Sequence, residues 1–168
     1  MLGRGLAVAA AVAAVDQFAK HAVLRSFDTA GCGVGHKTVT PFFDLVLTCN
    51  RGVSFGLFNG AAGVRGMILA VVAAAIVLVL LYWLARVTNG WMAAAIGLII
   101  GGAVGNVVDR LLLGGVVDFL DFHIGAWHWP AFNIADSAIC VGVAMMLLES
   151  LLTRRAAPRE ERRGDLPP

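Results

Sequence analysis

Asp118 and Asp136 are the two residues of this chain whose type and placement best fit acid–base chemistry. Each lies where an apolar run meets a polar segment, Asp118 just after one run and Asp136 at the start of another. Two neighbouring carboxylates can hydrolyse a peptide bond, because one takes a proton from water while the other donates a proton to the leaving amine or the carbonyl oxygen. Close carboxylates share a proton, so their pKa values separate.

Further polar residues surround both aspartates at helical spacing. Asn106 precedes Asp109 by three residues and Arg110 by four, so these side chains fall on one broad helix face. Asn133 precedes Asp136 by three residues and shares its face in the same way. Ionisable groups in apolar segments are costly and usually face a protein interior or a wet cavity. We therefore predict that these residues form a supporting shell, with Arg110 neutralising Asp109 or binding a backbone carbonyl.

Two other polar pairs accompany this shell. Asn50 and Gly52 mark a turn that can enter the same site from a preceding polar segment. Asp16 and Lys20 are spaced i, i+4, which places them on one face of a helix, and we predict a structural ion pair.

Each acid also has a structural explanation. Asp136 can simply favour the positive end of a helix dipole. Asp118 and Asp121 can be loop acids that face water, and Asp109 with Arg110 can be a structural tie. Residue types alone therefore leave the use of this acid cluster open.

The histidines and cysteines do not predict a metal site. No ligand spacing relates the four histidines, His21, His36, His123 and His128. The three cysteines lack a CxxC spacing, which argues against a zinc site or a disulfide framework. Cys140 lies in an apolar run and is predicted to be a small core residue. Whether Cys32 and Cys49 form a disulfide stays open.

The composition indicates an integral membrane protein. Of 168 residues, 59% are hydrophobic and 14% charged, against about 45–50% and about 25% in soluble domains. The mean hydropathy of +0.81 agrees. The net charge of +2 comes without a basic face, so no nucleic-acid partner is predicted.

Four segments approach the roughly 20 apolar residues that a bilayer span requires. They are residues 5–24, 64–84, 91–113 and 132–152. The first is predicted to be a retained span rather than a cleaved signal peptide, because its apolar run resumes after Asp16 and Gln17. Residues 1–153 then form one membrane domain, and the polar, proline-containing residues 154–168 form a tail predicted to be disordered.

The basic residues predict the orientation of this domain. With four spans, Arg4, Arg86 and the tail arginines fall on one side of the membrane, and such residues favour the cytoplasm. Both termini are therefore predicted to be cytoplasmic. Residues 25–63 and 114–131 lie on the outer side, the first with strand character and the second as a loop.

Four sequence blocks resemble the lipoprotein signal peptidase, or signal peptidase II, family when they are taken together and in order. They are DQFAK (16–20), NRGVSFG (50–56), GNVVDR (105–110) with VVDF (116–119), and FNIADS (132–137). One departure is Ser54, where the family often has alanine.

This resemblance implies a fold, a reaction and a set of site residues. The fold is an all-α membrane bundle of four transmembrane helices with a small periplasmic β-cradle and a short extracytoplasmic helix. The reaction is that of an aspartyl endopeptidase, with Asp118 and Asp136 as the catalytic pair. The supporting residues are Asn50, Gly52, Asn106, Asp109, Arg110 and Asn133.

The resemblance also implies the biological setting. The enzyme lies in the bacterial inner membrane with its site on the periplasmic side, and it removes the signal peptide of diacylglyceryl-modified prolipoproteins by cutting before the lipidated cysteine. It uses no metal or organic cofactor and is inhibited by globomycin. We further predict that this protein contacts membrane lipids and is a monomer. The particular prolipoproteins are not identified.

Two other function classes remain to be compared with this expectation. A small transporter or proton-relay protein also uses intramembrane Asp and Arg, but its acids would be spread across the depth of the bilayer. A non-catalytic assembly subunit would explain the apolar spans without explaining the four blocks.

Overall fold

Four long helices and one small sheet make up the fold. The computed structural model of the protein describes residues 1–52 and 62–156. The helices are α1 (Leu2–Ser26), α2 (Ala62–Leu84), α3 (Gly90–Leu113) and α4 (Ile134–Ala156). All four are long and apolar enough to cross a membrane. The four predicted spans are therefore confirmed as helices, and α4 extends beyond the predicted inner end of its span.

Helix α3 lies at the centre of the bundle and packs against the other three helices. Small residues permit this close approach. A methyl group at Gly101 would lie 2.7 Å from Cβ of Val12 on α1, and one at Gly142 of α4 would lie 2.6 Å from the Ala95 carbonyl oxygen on α3. The outward-facing apolar side chains of α2, including Val71 and Leu78, remain exposed, as expected for a lipid-facing surface.

The sheet consists of four antiparallel strands in the order β1-β2-β3-β4. The strands are β1 (Gly35–Thr40), β2 (Phe43–Asn50), β3 (Val116–Ile124) and β4 (Trp127–His128). The strand character predicted for residues 25–63 is confirmed. The prediction of a loop over residues 114–131 is wrong, because β3 pairs with β2 along most of its length.

The sheet packs against the C-terminal end of α1. Val23 and Leu24 of α1 form a buried cluster with Leu47 of β2 and with Val117 and Phe119 of β3. Strands β1 and β2 follow α1, whereas β3 and β4 connect α3 to α4. The ends of these helices therefore meet at the sheet, whereas the start of α1 and the end of α4 lie toward the opposite end of the bundle.

The cysteines differ from one another in their environment. Cys32 and Cys49 form a disulfide, which answers the question left open by the sequence and ties the segment after α1 to the end of β2. Cys140 is exposed on the bundle surface, so its prediction as a core residue is wrong. The structure does not describe the end of the 50–56 block, which includes Ser54, or residues 157–168 of the predicted tail. Within the described residues, the short extracytoplasmic helix implied by the resemblance does not occur.

Candidate active site

Asp118 lies on strand β3, at the end of the helix bundle where the sheet packs. Its cross-strand partner is Thr48 of β2, and the side chain is only 3% exposed. The carboxylate oxygen Oδ1 accepts a hydrogen bond of 2.7 Å from Nδ2 of Asn133. The strand fixes the direction of this side chain. Asp118 is therefore not the water-facing loop acid that the sequence left open as an alternative.

Asp136 lies in the first turn of α4 and takes part in starting that helix. Its backbone N–H donates to Oδ1 of Asn133 over 2.9 Å, and its own Oδ2 accepts from the backbone N–H of Asn133 over 3.3 Å. This reciprocal arrangement is a capping box. The remaining oxygen, Oδ1, accepts a 2.8 Å hydrogen bond from Nδ2 of Asn106.

Two asparagine side chains connect the aspartates. Nδ2 of Asn133, which binds Asp118, also lies 3.3 Å from Oδ1 of Asn106, whose Nδ2 binds Asp136. Residues from β3, α3 and α4 therefore form one hydrogen-bonded path. The structure brings together the four residues Asn106, Asp118, Asn133 and Asp136, as the sequence predicts.

The environment of Asp118 favours its protonated form. Burial raises the pKa of Asp118 to about 6, and the nearby charge of Asp136 adds to the increase, whereas hydrogen bonds from Asn50 and Asn133 oppose it. Carboxyl groups that are removed from water and lie near a like charge behave in this way.

Lys20 is the centre of a second polar group next to the first. Its ammonium nitrogen lies 2.8 Å from Oδ2 of Asp16 and 2.7 Å from Oδ2 of Asp109. It also donates to Oδ1 of Asn106 over 3.1 Å. The predicted Asp16–Lys20 pair is present, and all three charged residues are at most 2% exposed.

This second group supports the elements that carry the aspartates. Oδ1 of Asp16 accepts from the backbone N–H of Ala135, in the first turn of α4, over 2.9 Å. Oδ2 of Asp109 accepts from the backbone N–H of Val117, next to Asp118, over 3.1 Å. A methyl group at Gly105 would lie 2.5 Å from Oδ2 of Asp16, so this position must lack a side chain.

Arg110 has only one of the two roles predicted for it. Asp109 pairs with Lys20 and not with Arg110, so the expectation of an Asp109–Arg110 tie is wrong. Arg110 instead donates from Nη1 to the backbone carbonyl of Asn106 over 3.1 Å, which is its other predicted role. The two residues are neighbours in sequence and leave the helix in different directions.

Gln17 is a supporting residue that the sequence prediction missed. Its Nε2 donates to Oδ1 of Asp109 over 2.8 Å and to the Gly105 carbonyl over 3.1 Å. A polar amide directly after Asp16 in an apolar run was the available signal. The Asn50–Gly52 turn is present, with the Gly52 N–H donating to Oδ1 of Asn50 over 3.1 Å. The φ angle of 103° at Gly52 favours glycine.

These buried polar side chains gather at the sheet end of the bundle. They belong to the C-terminal halves of α1 and α3, the start of α4 and the strands, and Asp16 lies farthest from the sheet along α1. A transporter that moves charge through the bilayer would distribute its acids along the helices. The observed acids instead lie together in the half of the bundle next to the sheet.

Comparisons with known proteins agree with this geometry. The family model described as signal peptidase (SPase) II matches residues 8–152. The lipoprotein signal peptidase of Paraburkholderia phymatum is 45% identical over 153 residues, with 90% of each chain covered. That of Burkholderia thailandensis is 44% identical with the same coverage.

Solved structures share the fold. One bacterial membrane enzyme, determined by the in meso method at 2.3 Å resolution, superposes with a TM-score of 0.71 at 26% identity and covers 98% of this chain and 95% of its own. Another, determined at 1.9 Å, has a TM-score of 0.73 at 28% identity and covers 89% and 93%. On these matches and on its arrangement of motifs, the chain belongs to the signal peptidase II family, whose members are proteases.

Proposed function

We propose that this protein is an aspartyl endopeptidase that removes signal peptides from diacylglyceryl-modified prolipoproteins by cleaving before the lipidated cysteine. The observation that carries the proposal is the hydrogen-bonded path between Asp118 and Asp136, which runs through two amides. This path fixes both carboxyl groups at one site, where one can act as a general acid and the other as a general base.

Asp118 is proposed as the general acid. Its raised pKa of about 6 keeps the carboxyl group protonated closer to neutral pH than that of an ordinary aspartate, and a general acid is most effective when its pKa lies near the working pH. The protonated group can donate to the carbonyl oxygen of the scissile bond.

Asp136 is proposed as the general base. It is half-buried rather than enclosed, so water can reach it, and two N–H donors bind its oxygens and hold the carboxylate in place. Asp136 takes a proton from water as the water oxygen bonds to the carbonyl carbon. When the C–N bond of the tetrahedral intermediate breaks, that proton passes to the leaving amine, and a hydroxyl group of the intermediate returns a proton to Asp118 as the C=O bond re-forms.

The other predicted site residues are proposed to position the aspartates and the substrate. Asn50 donates to Asp118 and lies beside the Gly52 turn, at the edge of the site where a peptide can enter. Lys20, Asp16 and Asp109 hold the first turn of α4 and the start of β3 in place. Positioning of this kind lowers the entropic cost of reaction.

We further propose that the site faces the periplasm and that both termini are cytoplasmic, in the bacterial inner membrane. The disulfide between Cys32 and Cys49 lies at the sheet end of the bundle, and disulfides persist in oxidising compartments such as the periplasm. Arg4 and Arg86 lie at the opposite end, as cytoplasmic basic residues do. The acyl chains of the substrate then lie in the bilayer beside the site.

Cleavage of a lipidated precursor by purified Asp118→Asn and Asp136→Asn variants tests this function. Each substitution keeps the shape of the side chain but removes its acid–base chemistry, and we expect a loss of cleavage of about 10²–10⁴-fold. The measurement is the gel shift of the precursor, with and without globomycin.

Asp28→Asn is a matched control for these variants. Asp28 is exposed on the segment after α1, and asparagine tolerates its positive φ angle of 51°, so this variant should cleave like the unmodified protein. Normal turnover by Asp118→Asn or Asp136→Asn would reject the assignment of the catalytic pair. Loss of activity in all three variants would also contradict it.

A further inference from the structure

Five titratable side chains form a cluster on the part of the sheet away from the paired aspartates. Nε2 of His36 lies 2.8 Å from Oδ2 of Asp44, and Nε2 of His123 lies 3.4 Å from the same oxygen. Nδ1 of His128 lies 2.9 Å from Oδ2 of Asp121. The rings of His123 and His128 stack with their centroids 4.8 Å apart.

Strand pairing brings these residues together from four separate strands. Asp44 of β2 lies directly opposite Asp121 of β3, and His123 of β3 lies opposite His128 of β4. Like charges directly opposite each other destabilise a sheet. A cation between the two carboxylates would remove that cost.

Asp44 is the buried member of the cluster. It is 4% exposed, and its Oδ1 is enclosed without a hydrogen-bond partner among residues 1–52 and 62–156. Both ring nitrogens of His123 likewise lack a hydrogen bond within those residues, although Nε2 lies 3.4 Å from Oδ2 of Asp44. Buried polar atoms normally have partners, so these atoms indicate a missing ligand.

We propose that this cluster, hereafter the sheet cluster, binds one divalent transition-metal ion of the zinc class. Asp44, Asp121 and His128 each offer a ligand atom, and these atoms lie within 4.8 Å of one another. Zinc binds nitrogen and carboxylate oxygen at about 2.0–2.2 Å, so small side-chain movements would complete the coordination. His36 and His123 contact Asp44 and can act as a fourth ligand or orient that carboxylate.

The chemistry of the donors selects the class of ion. Imidazole nitrogen suits zinc, copper and nickel, whereas magnesium and calcium prefer all-oxygen sites. The proposal is independent of the peptidase function, because Asp121 is three residues from Asp118 and successive side chains of a strand point to opposite faces. The sequence offered no metal site, because the five positions are brought together only by strand register.

Isothermal titration calorimetry of the full chain in detergent micelles, without an affinity tag, tests the proposal with Zn²⁺ alone and with Mg²⁺ alone. We expect saturable binding of one Zn²⁺ per chain and no comparable binding of Mg²⁺. The His128→Gln variant should bind Zn²⁺ at least about tenfold more weakly than the unmodified protein does. The matched control is His21→Gln, since His21 is an exposed histidine of α1 and its substitution should leave the affinity unchanged.

A second measurement guards against loss of folding in the variant. Co²⁺ bound by the unmodified protein should give the intense visible absorption of a low-symmetry nitrogen and oxygen site, and Zn²⁺ should abolish it. Zn²⁺ should also raise the Tm of the unmodified and His21→Gln proteins. The absence of saturable Zn²⁺ binding in the unmodified protein would overturn the proposal. Equal Zn²⁺ affinity in the His128→Gln and unmodified proteins would overturn it as well.

Discussion

The two acid pairs at the sheet end of the bundle are held in opposite ways. Asp16 and Asp109 share the ammonium group of Lys20 at 2.8 and 2.7 Å. Asp118 and Asp136 instead receive hydrogen bonds from neutral amides, and no Lys or Arg side chain within the described parts of the chain forms an ion pair with either.

This difference separates acids that support the fold from acids suited to chemistry. A carboxylate that is paired with a buried cation, as Asp16 and Asp109 are, stabilises one geometry of the fold. Burial and the nearby charge of Asp136 raise the pKa of Asp118 even though its amide hydrogen bonds oppose the increase, so this carboxyl group can exchange its proton. The two pairs meet at Asn106, which binds both Lys20 and Asp136.

The Lys20→Met substitution should have the largest effect on the difference between the two acid pairs. This change leaves two buried carboxylates without their cation, and breaking a buried ion pair costs about 3–5 kcal/mol. We expect a loss of that size in the free energy of unfolding, measured in detergent. Lys37→Met is the matched control, because Lys37 lies on exposed strand β1 and contacts the face of Phe27, and its loss should cost about 1 kcal/mol or less. Equal losses in the two variants would contradict a special role for Lys20.

The pH dependence of cleavage tests the acid role proposed for Asp118 in the second pair. If protonated Asp118 is the general acid, kcat/KM should fall by about tenfold per pH unit above about pH 6, where the free enzyme loses that proton. The measurement is the initial cleavage rate at low precursor concentration, with the Tm followed over the same pH range. A rate that stays constant well above pH 7 in folded enzyme would assign the acid role to another group.

The stability of Asp118→Asn gives the third and smallest expected effect. The pKa of Asp118 is raised in the folded protein from 3.8 to about 6, so ionisation favours unfolding as the pH increases through this interval. The variant removes that cost, which is at most about 3 kcal/mol above pH 6. We expect the inactive variant to have a higher Tm than the unmodified protein at alkaline pH, and the two values to converge near pH 4. A lower Tm for the variant at alkaline pH would show that the carboxylate is stabilising.

Much of the bundle and the paired aspartates could be predicted from the sequence, because both depend on local patterns. Apolar runs of bilayer length predict α1 to α4, and spacing along α3 and α4 predicts the faces of Asn106 and Asn133. Strand β3 was missed, because its partner β2 lies about seventy residues earlier in the chain and strand formation depends on such distant pairing.

The partner of Asp109 could not be predicted for a similar reason. Arg110 is adjacent in sequence, but Lys20 reaches Asp109 only because α1 packs closely along α3. The sheet cluster shows the same limitation, since strand register places His36 beside Asp44 and His128 beside Asp121. Contacts between elements set these pairs, and residue spacing does not record them.

The capping box at the start of α4 has a consequence for inhibitors. Asp136 both starts a helix through Asn133 and is the proposed general base, so a substitution that evades a compound bound there would also weaken the start of the helix. Resistance to such a compound should therefore arise at the surrounding surface and seldom at the targeted carboxylate.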